Sequence, residues 1–555
     1  MRRAFADTLR PALDAMRTTL GDPDLRGLLV AWFTVMAGKW AFLVAGLVIA
    51  YDAGGAVAVG IFGLARYVPP TILAPFTGLL TVRWRPEVVF RATNALRTLM
   101  VAVAFVVVVA DLPFAVYLLV VALEAGIGAA TRPLYMALLP AIARTPSQLV
   151  AANVASSAME GIGTFAGPAV AGLLLTQGGP ASVILAVVGV YAAGVWAIAR
   201  LAVPAVGRPA ASVAAALDQV SAGIRAVTTL SGPRLVVLDL GAQTFVRGLL
   251  TVLVVVASVE LLPLGEPGVG TLNAMLGLGG LLGAGVAVLL AGRERLGPAF
   301  LLALAGWGLP IAVFGLVPTV AVSLLAMTMV GVSNSVLDVA GFTLVQRTTP
   351  NQSRVAVLGL LDSVANGGVA IGGIVAPILI VAFGTIPALV ITGAILPIVA
   401  IVSVPVMRRM DEGGPAVAQR VDRLRADPLF TPLSLATVEY LSSCLRPVEY
   451  EDGAWLMREG EPGLEYLLID AGMARISKDG QTIRDVGPGD GVGEIALLRH
   501  VPRTASVQAR GPVQAFSLDR EAFLEAVTGH PVGREVATTV ADEHLAADRE
   551  RPALH

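Results

Sequence analysis

Long apolar segments follow one another from Arg26 to Met407 with few breaks. A helix that crosses the hydrocarbon core of a bilayer needs about 20 apolar residues, and about twelve such segments can be counted. Only 14% of the residues are charged, against about 25% in an ordinary soluble domain. The sequence therefore predicts an all-α polytopic membrane bundle of about twelve transmembrane helices. The predicted segments are 27–51, 55–80, 88–110, 113–142, 148–176, 180–203, 233–260, 267–291, 297–317, 319–346, 354–383 and 385–407.

The connections between these segments alternate in charge. One set carries Arg83, Arg85, Arg144, Arg208, Arg234, Arg293, Arg295, Arg347, Arg354, Arg408 and Arg409. The other set, at 52–55, 111–113, 177–180, 260–268, 317–319 and 383–387, contains neither lysine nor arginine. Because basic connections stay on the cytoplasmic side, this pattern places both termini in the cytoplasm and the chain, as a multi-pass protein, in the inner (plasma) membrane.

The membrane region is predicted to consist of two halves of six helices each. Residues 204–232 form the longest internal connection and a cytoplasmic central linker, which separates a first half at 27–203 from a second half at 233–407. Pro146-Ser147-Gln148 and Pro350-Asn351-Gln352 open corresponding segments, and Gly163 and Gly367 follow at equal distances. Parallel repeats of this kind are typical of the major facilitator architecture.

Residues 1–26 contain five arginines and apolar residues at helical spacing, without the apolar core of a signal peptide. They predict an amphipathic helix that lies either on the cytoplasmic membrane face or against protein.

The composition changes at Asp411, after which the chain is charged and punctuated by glycine. Short alternating runs at 465–469 and 513–518, separated by glycine-containing turns, predict a small antiparallel β-barrel. Helical patterns flank it at 415–426, 433–445, 519–527 and 532–547. The predicted organisation is a linker helix at 408–427, a domain at 428–530, and a C-terminal helix and tail at 531–555.

The most specific motif runs from Gly489 to Leu498, with the sequence GDGVGEIALL, and is followed by PRTASV at 502–507. It resembles the phosphate-binding cassette of the cyclic nucleotide-binding domain family, and the resemblance extends across 428–530. Val492 departs from the family, in which an aromatic residue is common at this position.

This resemblance implies a role for each matching residue. Free N–H groups of Gly493-Glu494-Ile495-Ala496 would face the cyclic phosphate, and Arg503 would pair with its oxygens. Glu494 would accept from the ribose hydroxyl, while Thr504 and Ala505 would supply a hydroxyl and an N–H. The regulatory ligand expected is cyclic AMP, with cyclic GMP as the alternative. A cassette that folds without binding anything is the other alternative. No cofactor, metal site or nucleic-acid partner is expected from the composition.

The transmembrane region resembles the drug:proton antiporter branch of the major facilitators. The resemblance rests on Gly163, Gly167 and Pro168 in one segment, followed by Gly172, small residues that allow close helix packing. In the loop between the second and third segments, Gly78 and Arg83 match the loop motif of this branch, whereas Val82 replaces its usual aspartate. The stretch Glu294-Arg295-Leu296-Gly297 in the second half matches that motif better.

Polar and charged side chains inside the segments predict a transport cavity, because a charge at the bilayer centre costs about 2.5–3.5 kcal/mol. They are Lys39, Arg66, Glu124, Glu160, Arg247 and Asn334. The alternative is a set of structural ion pairs, Lys39 with Glu124 and Glu160 with Arg66. Glu124 is the candidate proton carrier. Asp338, Asp362 and Arg132 are expected in gating networks, and Asp239 near the interface.

The sequence thus predicts a secondary transporter that exports a small amphipathic or anionic molecule, with the bilayer, the cargo, protons and cyclic nucleotide as its partners. The alternative function is a transport-inactive membrane sensor of cyclic nucleotide. No combination of nucleophile, base and oxyanion donors suggests an enzyme.

Overall fold

The computed structural model describes residues 21–77, 80, 84–143, 145–201, 213–290, 296–349, 351–433 and 435–528. The chain divides into two units, Met1–Val345 with Ser353–Met407, and Gln346–Gln352 with Arg408–His555. Several predicted features lie outside the described residues. They are residues 1–20 of the helix predicted over 1–26, the loop residues Gly78, Val82, Arg83, Glu294 and Arg295, and the helix at 532–547.

The first unit is helical throughout its regular structure. Ten of its described helical spans are long and apolar enough to cross a membrane. The helices between Pro23 and Ala426, of which the last three include some residues assigned to the second unit, are α1 Pro23–Leu73, α2 Pro86–Val109, α3 Phe114–Gly128, α4 Thr131–Ile142, α5 Pro146–Ala197, α6 Val213–Thr229, α7 Ser231–Val256, α8 Gly265–Leu290, α9 Gly297–Leu316, α10 Val320–Thr348, α11 Asn351–Phe383 and α12 Thr385–Ala426. A short 3₁₀ turn at Ala74–Phe76 follows α1, and a π turn at Ala257–Leu261 follows α7.

Helices α1 and α5 are each interrupted by a Gly-Gly pair. In α1 the break lies at Gly54 and Gly55, where Gly55 has φ +60°. In α5 it lies at Gly178 and Gly179, where Gly179 has φ +63°. Residues with a Cβ rarely adopt this left-handed conformation, so glycine permits a tight reversal there. Both breaks fall at connections predicted from the sequence.

Close packing of α5 against α1 depends on two of the predicted motif glycines. A Cβ on Gly163 would lie 2.8 Å from the Cβ of Met36, and one on Gly167 would lie 2.3 Å from the carbonyl oxygen of Ala37. Both distances are too short for real atoms, so the backbones can approach this closely only because glycine has no side chain.

The same arrangement recurs between α11 and α7. A Cβ on Gly368 would lie 2.5 Å from Oγ1 of Thr244, and one on Gly372 would lie 2.1 Å from the carbonyl oxygen of Phe245. Gly367, which the sequence comparison paired with Gly163, has no neighbour within 4 Å. The crowded position in α11 is therefore taken by the next residue, Gly368, with the same spacing to the following packing glycine as in α5.

A second pair of contacts joins helices from different halves of the unit. A Cβ on Gly270 in α8 would lie 2.4 Å from the Cα of Gly172 in α5. A Cβ on Gly60 in α1 would lie 2.6 Å from the carbonyl oxygen of Gly373 in α11. Glycine thus brings helix backbones together at related places in both halves.

The second unit contains an antiparallel sheet with flanking helices. The strand order is β1-β6-β3-β4, while β2 pairs with β6 and β5 pairs with β3. In the longest pairing, β3 and β6 run from Glu465 opposite Asp519 to Ser477 opposite Ser506. The elements are α13 Leu435–Cys444, β1 Arg446–Tyr450, β2 Trp455–Met457, β3 Glu465–Lys478, β4 Gln481–Val486, β5 Gly491–Val492, α14 Glu494–Arg499, β6 Ser506–Asp519 and α15 Arg520–Thr528.

An aromatic cluster joins the flanking helices to the sheet. Phe430, Tyr466 and Phe523 are fully buried, and the rings of Tyr466 and Phe523 stack with centroids 5.0 Å apart. The Tyr466 hydroxyl donates a short hydrogen bond to the carboxylate of buried Asp427. Because a buried carboxylate needs a donor, this bond ties the segment before α13 to strand β3.

Candidate functional site

A cavity of about 1040 Å³ lies within the first unit. Helices from both halves line it, since α1, α3 and α5 contribute to its wall together with α7, α8, α10 and α11. Its lining includes all six residues that the sequence assigned to a transport cavity: Lys39, Arg66, Glu124, Glu160, Arg247 and Asn334. Asp338, Asp362 and Arg132, expected in gating networks, line the same cavity.

Glu124 is the centre of a buried ion cluster. Its Oε1 accepts hydrogen bonds from Nε of Arg97 at 2.9 Å and from Nη2 of Arg97 at 2.7 Å. Nη1 of Arg66 lies 3.7 Å from the other carboxylate oxygen. Arg97 also donates to the hydroxyl of Tyr191 at 2.7 Å. All three charged side chains are at most 5% exposed, so the ions offset one another's desolvation cost.

The ion pairs predicted from the sequence were therefore wrong in their partners. Glu124 pairs with Arg97 and Arg66 rather than with Lys39. Glu160 pairs with Arg132 at 3.3 Å rather than with Arg66. Arg66 is held on α1 itself, where it donates to the carbonyl oxygen of Lys39 at 3.0 Å. Helix spacing alone does not fix which side chains meet across a bundle, and these pairings depend on tertiary packing.

Arg97 was missed by the sequence analysis, although a signal was present. It lies well inside the predicted segment at 88–110, where a charged side chain is costly and must have a partner. The same criterion that selected Arg66 and Glu124 would have selected it.

Asn334 connects three helices at the cavity wall. Its amide oxygen accepts from Nε2 of Gln243 at 3.3 Å and from Nε1 of Trp307 at 3.2 Å. Its amide nitrogen donates to Asp338 at 2.8 Å. These three hydrogen bonds hold the Asn334 side chain in place at the cavity wall and use one of its two amide N–H donors.

Asp239 is buried within the first unit, and its position near the membrane interface stays a prediction. It is 3% exposed and accepts a hydrogen bond from Oγ of Ser403 at 2.9 Å. The bond links α7 to α12 and satisfies Oδ1 of Asp239, whereas its buried Oδ2 has no hydrogen-bond partner among the described residues.

In the second unit a small pocket lies between the sheet and α14. The chain turns back after α14, so that Arg503, Thr504 and Ala505 line the same pocket as the residues at the start of that helix. The pocket is lined by all seven residues predicted to bind the nucleotide: Gly493, Glu494, Ile495, Ala496, Arg503, Thr504 and Ala505.

Two backbone carbonyl groups hold the side chain of Arg503. Its Nη1 donates to the oxygen of Gly493 at 3.0 Å, and its Nη2 donates to the oxygen of Glu465 at 2.7 Å. Its own backbone is fixed by pairing with Glu461 and Gly460. The residue as a whole is 6% exposed. A cation preorganised in this way can bind an anion with little loss of side-chain entropy.

The pocket combines the buried Arg503 cation with several nearby carboxylates. Burial lowers the pKa of the Arg503 guanidinium, while the carboxylates of Glu465, Glu494 and Glu461 act in the opposite direction. Arginine stays charged in proteins even so. Glu494 is itself 4% exposed at the first position of α14, which places an acceptor next to the cation.

Gly493 is required by the shape of this turn. It has φ +97° and precedes α14, and a Cβ there would lie 2.3 Å from Nη1 of Arg503. A side chain would strain the backbone and displace the guanidinium at the same time.

The sequence motif did not identify every pocket residue. Met457, Ile476 and Arg484 also line the pocket, but they lie on separate strands outside the motif, whose register could not be read from it. Val492, the departure from the family, is 3% exposed and belongs to the hydrophobic cluster beneath the pocket.

Comparisons with known proteins bear on this second unit. Residues 447–530 match the model of the family described as cyclic nucleotide-binding domain. Acetyltransferase Pat of Mycolicibacterium smegmatis is 43% identical over 108 residues, which are 19% of this chain and 32% of that protein. The cGMP-dependent protein kinase egl-4 of Caenorhabditis briggsae is 32% identical over 102 residues, 18% of this chain and 14% of that protein.

One solved structure is also similar to part of this chain. The regulatory domain of Toxoplasma gondii PKA in a co-crystal with cAMP is 21% identical, covers 24% of this chain and 52% of that chain, and has a TM-score of 0.22. The chain spans about a third or less of the curated relatives' own length. Together with the pocket geometry, the family match establishes that residues 447–530 form a cyclic nucleotide-binding domain.

Proposed function

We propose that the chain is a secondary active transporter of the major facilitator type, which exports a small amphipathic or anionic molecule across the inner membrane. We further propose that cyclic AMP, bound by the cytoplasmic C-terminal domain, regulates its cycle. The cavity of about 1040 Å³ within the apolar helices carries this proposal, because buried charges in a membrane protein normally serve a substrate or ion pathway.

The helix count supports a major facilitator architecture. Ten described helical spans are apolar and long enough to cross a membrane. Two of them, α1 and α5, contain a Gly-Gly break at a predicted non-basic connection. Dividing each at its break gives twelve segments, in agreement with the alternation of basic connections.

The repeated glycine contacts support two related halves. Gly163 and Gly167 pack α5 on α1, as Gly368 and Gly372 pack α11 on α7. Parallel repeats of six helices, with a substrate site at their interface, are the arrangement of major facilitators. The cavity is lined by residues from both halves, as that arrangement requires.

The nucleotide pocket supports regulation by a cyclic phosphate. Arg503 supplies a buried cation, and the backbone at Gly493 and Glu494 lies beside it. Cyclic nucleotide can bias transport only if the two conformations of the transporter differ in their affinity for it. Cyclic AMP is the proposed ligand and cyclic GMP the alternative.

Transport by the purified full chain in proteoliposomes tests the proposal. The vesicles are offered a mixture of small organic anions, cations and neutral compounds, and uptake is measured by mass spectrometry with and without cyclic AMP. We expect uptake of at least one compound above that of empty liposomes, at a rate that cyclic AMP changes. The change should be absent in Arg503→Ala.

The outcomes separate the two functions. If no compound enters while cyclic AMP still binds, the transport proposal fails and the chain is a membrane sensor of cyclic nucleotide. If uptake occurs at the same rate with and without cyclic AMP, transport stands and the regulatory proposal fails.

A further inference from the structure

One hydrogen bond joins the two halves of the first unit at the end of the helices that carries the connections without lysine or arginine, here called the non-basic end. The hydroxyl of Tyr51 in α1 donates to Oε1 of Glu260 at 2.7 Å. Tyr51 lies just before the Gly-Gly break of α1, and Glu260 lies in the π turn that follows α7. The bond is exposed and connects the first half directly to the second.

The π turn holds Glu260 at this position. Ser258 in the same turn is fully buried, and its hydroxyl donates to the carbonyl oxygen of Gly265 at 2.6 Å. Gly265 has φ +58°, which allows the chain to reverse there before α8. A π turn is rare and occurs frequently at functional sites. Here it ends α7 with the carboxylate of Glu260 facing Tyr51 of the other half.

The cavity ends before it reaches this contact. In the part of α1 before the break, its lining residues run from Trp32 to Trp40, and in α7 Arg247 lines it. The residues at 41–51 and at 248–260, all of which the structure describes, do not line it. The contact between Tyr51 and Glu260 therefore lies beyond one end of the cavity.

The halves also pack closely between the cavity and this end. A Cβ on Gly270 in α8 would lie 2.4 Å from the Cα of Gly172 in α5. Gly270 comes shortly after the connection at 260–268, and Gly172 comes shortly before the one at 177–180. The described conformation is thus one in which the two halves meet at the non-basic end.

Carboxylates flank the hydrogen bond without a basic partner. Asp52 adjoins Tyr51, and its charge acts on Tyr51 and on Glu266 at the start of α8. No lysine or arginine lies at 52–55 or 260–268. Neither Asp52 nor Glu266 forms an ion pair with the described residues. The repulsion between these two carboxylates is therefore not offset by a nearby cation.

This repulsion opposes closure at the non-basic end. Asp52 belongs to the first half and Glu266 to the second, so the repulsion is largest when the halves meet and falls when they separate. A proton bound by either carboxylate removes it. Protons are therefore bound more tightly when this end is closed, and by linkage acidification favours the closed arrangement.

We propose that Tyr51 and Glu260 form a contact that closes this end of the cavity, and that protons bound by the flanking Asp52 and Glu266 strengthen it. The inference rests on the proposed transport function, because it takes the two halves as parts that separate during the cycle. The proposed topology places this end outside the cell, so the external pH sets the fraction of molecules that are closed to the outside.

Distances between the halves test the inference without any cargo. They are measured by double electron–electron resonance on the full chain in nanodiscs, with spin labels at Gln177→Cys and Val317→Cys. Both positions are exposed, and they lie at non-basic connections of opposite halves. The background carries Cys444→Ser, which removes the one native cysteine. We expect a short and a long distance, with the long-distance fraction rising at least about threefold between about pH 5 and about pH 8.

Variants assign the effect to the named residues. Tyr51→Phe removes the donor and keeps the ring, so the long-distance fraction should rise at least about threefold at every pH. The double variant Asp52→Asn, Glu266→Gln removes the repelling charges, and its distances should keep the low-pH distribution throughout. Asp111→Asn is the matched control, because Asp111 is an exposed carboxylate at another non-basic connection of the first half. Its response to pH should equal that of the labelled parent.

Three results would overturn the inference: a long-distance fraction that does not change with pH, one that Tyr51→Phe leaves unchanged, or a response to pH that persists in the double variant. The proteoliposome assay is independent of these distances. If no compound is taken up while the distances respond as expected, the transport proposal fails and the proton-sensitive contact stands. If uptake occurs while the distances do not respond, only this inference fails.

Discussion

Gly493 and Arg503 form the central contact of the nucleotide pocket, because the guanidinium donates to the glycine carbonyl at 3.0 Å in a turn that only glycine fits. The bond fixes the cation beside the start of α14. The position at which a phosphate would be recognised is thus set by a residue without a side chain.

The first prediction concerns Gly493→Ala. Its methyl group would lie 2.3 Å from Nη1 of Arg503, so we expect the affinity for cyclic AMP to fall at least about tenfold, a change of about 1.4 kcal/mol. Gly489→Ala is the matched control, since Gly489 has φ +93° but no atom within 4 Å of the added methyl. It bears a similar backbone strain without the clash, and its affinity should stay within about twofold. Calorimetry on the full chain measures both.

The second prediction concerns Arg503 itself. Arg503→Ala should weaken cyclic AMP binding about 100-fold, because a charge-assisted hydrogen bond contributes about 1.5–3 kcal/mol and the pocket loses its cation. Arg503→Lys keeps the charge but cannot bridge the carbonyl oxygens of Gly493 and Glu465, so it should recover only part of the affinity. The control is Arg510→Ala, which removes an exposed ion pair with Asp485. Equal affinities for all three variants would contradict this role.

The third prediction concerns the choice between the two cyclic nucleotides. Arg484 lines the pocket from β4 and is exposed there. A guanidinium pairs with the two acceptors O6 and N7 of guanine, whereas adenine presents a donor at the first of these positions. Arg484→Gln should therefore weaken cyclic GMP about tenfold and change cyclic AMP by less than about twofold. Arg475→Gln, on the neighbouring strand and paired with Asp485, is the control. If the ratio of the affinities for cyclic GMP and cyclic AMP is unchanged in Arg484→Gln, Arg484 does not recognise the base.

Some of this structure could be predicted from the sequence because the signal is local. The cassette residues lie within one short stretch, and the short helix α14 and the turn after it bring Arg503 beside Gly493. The breaks at Gly55 and Gly179 could also be predicted, because each Gly-Gly pair falls in a connection without basic residues, next to the polar residues Asp52 and Gln177.

The rest depends on contacts between distant elements. The partner of Glu124 lies on another helix, and nothing in the local sequence states whether Arg97, Arg66 or Lys39 will reach it. Strand β6 begins at Ser506 although its alternating pattern is clear only from Val513. Its pairing with β3 contains register shifts near Ala471, which interrupt the period of two on which strand prediction depends.

The fourth prediction concerns the stability of the nucleotide-binding domain. Tyr466→Phe removes the hydroxyl that donates to buried Asp427, and a hydrogen bond to a charged group contributes about 1.5–3 kcal/mol. Tyr450→Phe is the matched control, because Tyr450 is half-buried and its hydroxyl forms no hydrogen bond with the described residues. Differential scanning calorimetry should show the domain's transition lowered by at least about 4 °C in Tyr466→Phe. A shift no larger than that of the control would exclude the bond as a stabilising contact.

The fifth prediction separates the buried ions of the cavity from the exposed ones. Arg97→Met leaves Glu124 with Arg66 alone, at 3.7 Å, and unpairing a buried charge costs about 3–5 kcal/mol. Arg132→Gln removes the pair with Glu160, whose side chains are 63% and 34% exposed, so its cost should stay below about 1 kcal/mol. Thermal unfolding in nanodiscs, followed by tryptophan fluorescence, compares the two variants. Glu124→Gln should partly restore Arg97→Met, because the double variant no longer buries a carboxylate short of its partner. If the double variant is less stable than Arg97→Met, the carboxylate stabilises the bundle through Arg66 alone, and the cluster is not the three-membered unit that its geometry indicates.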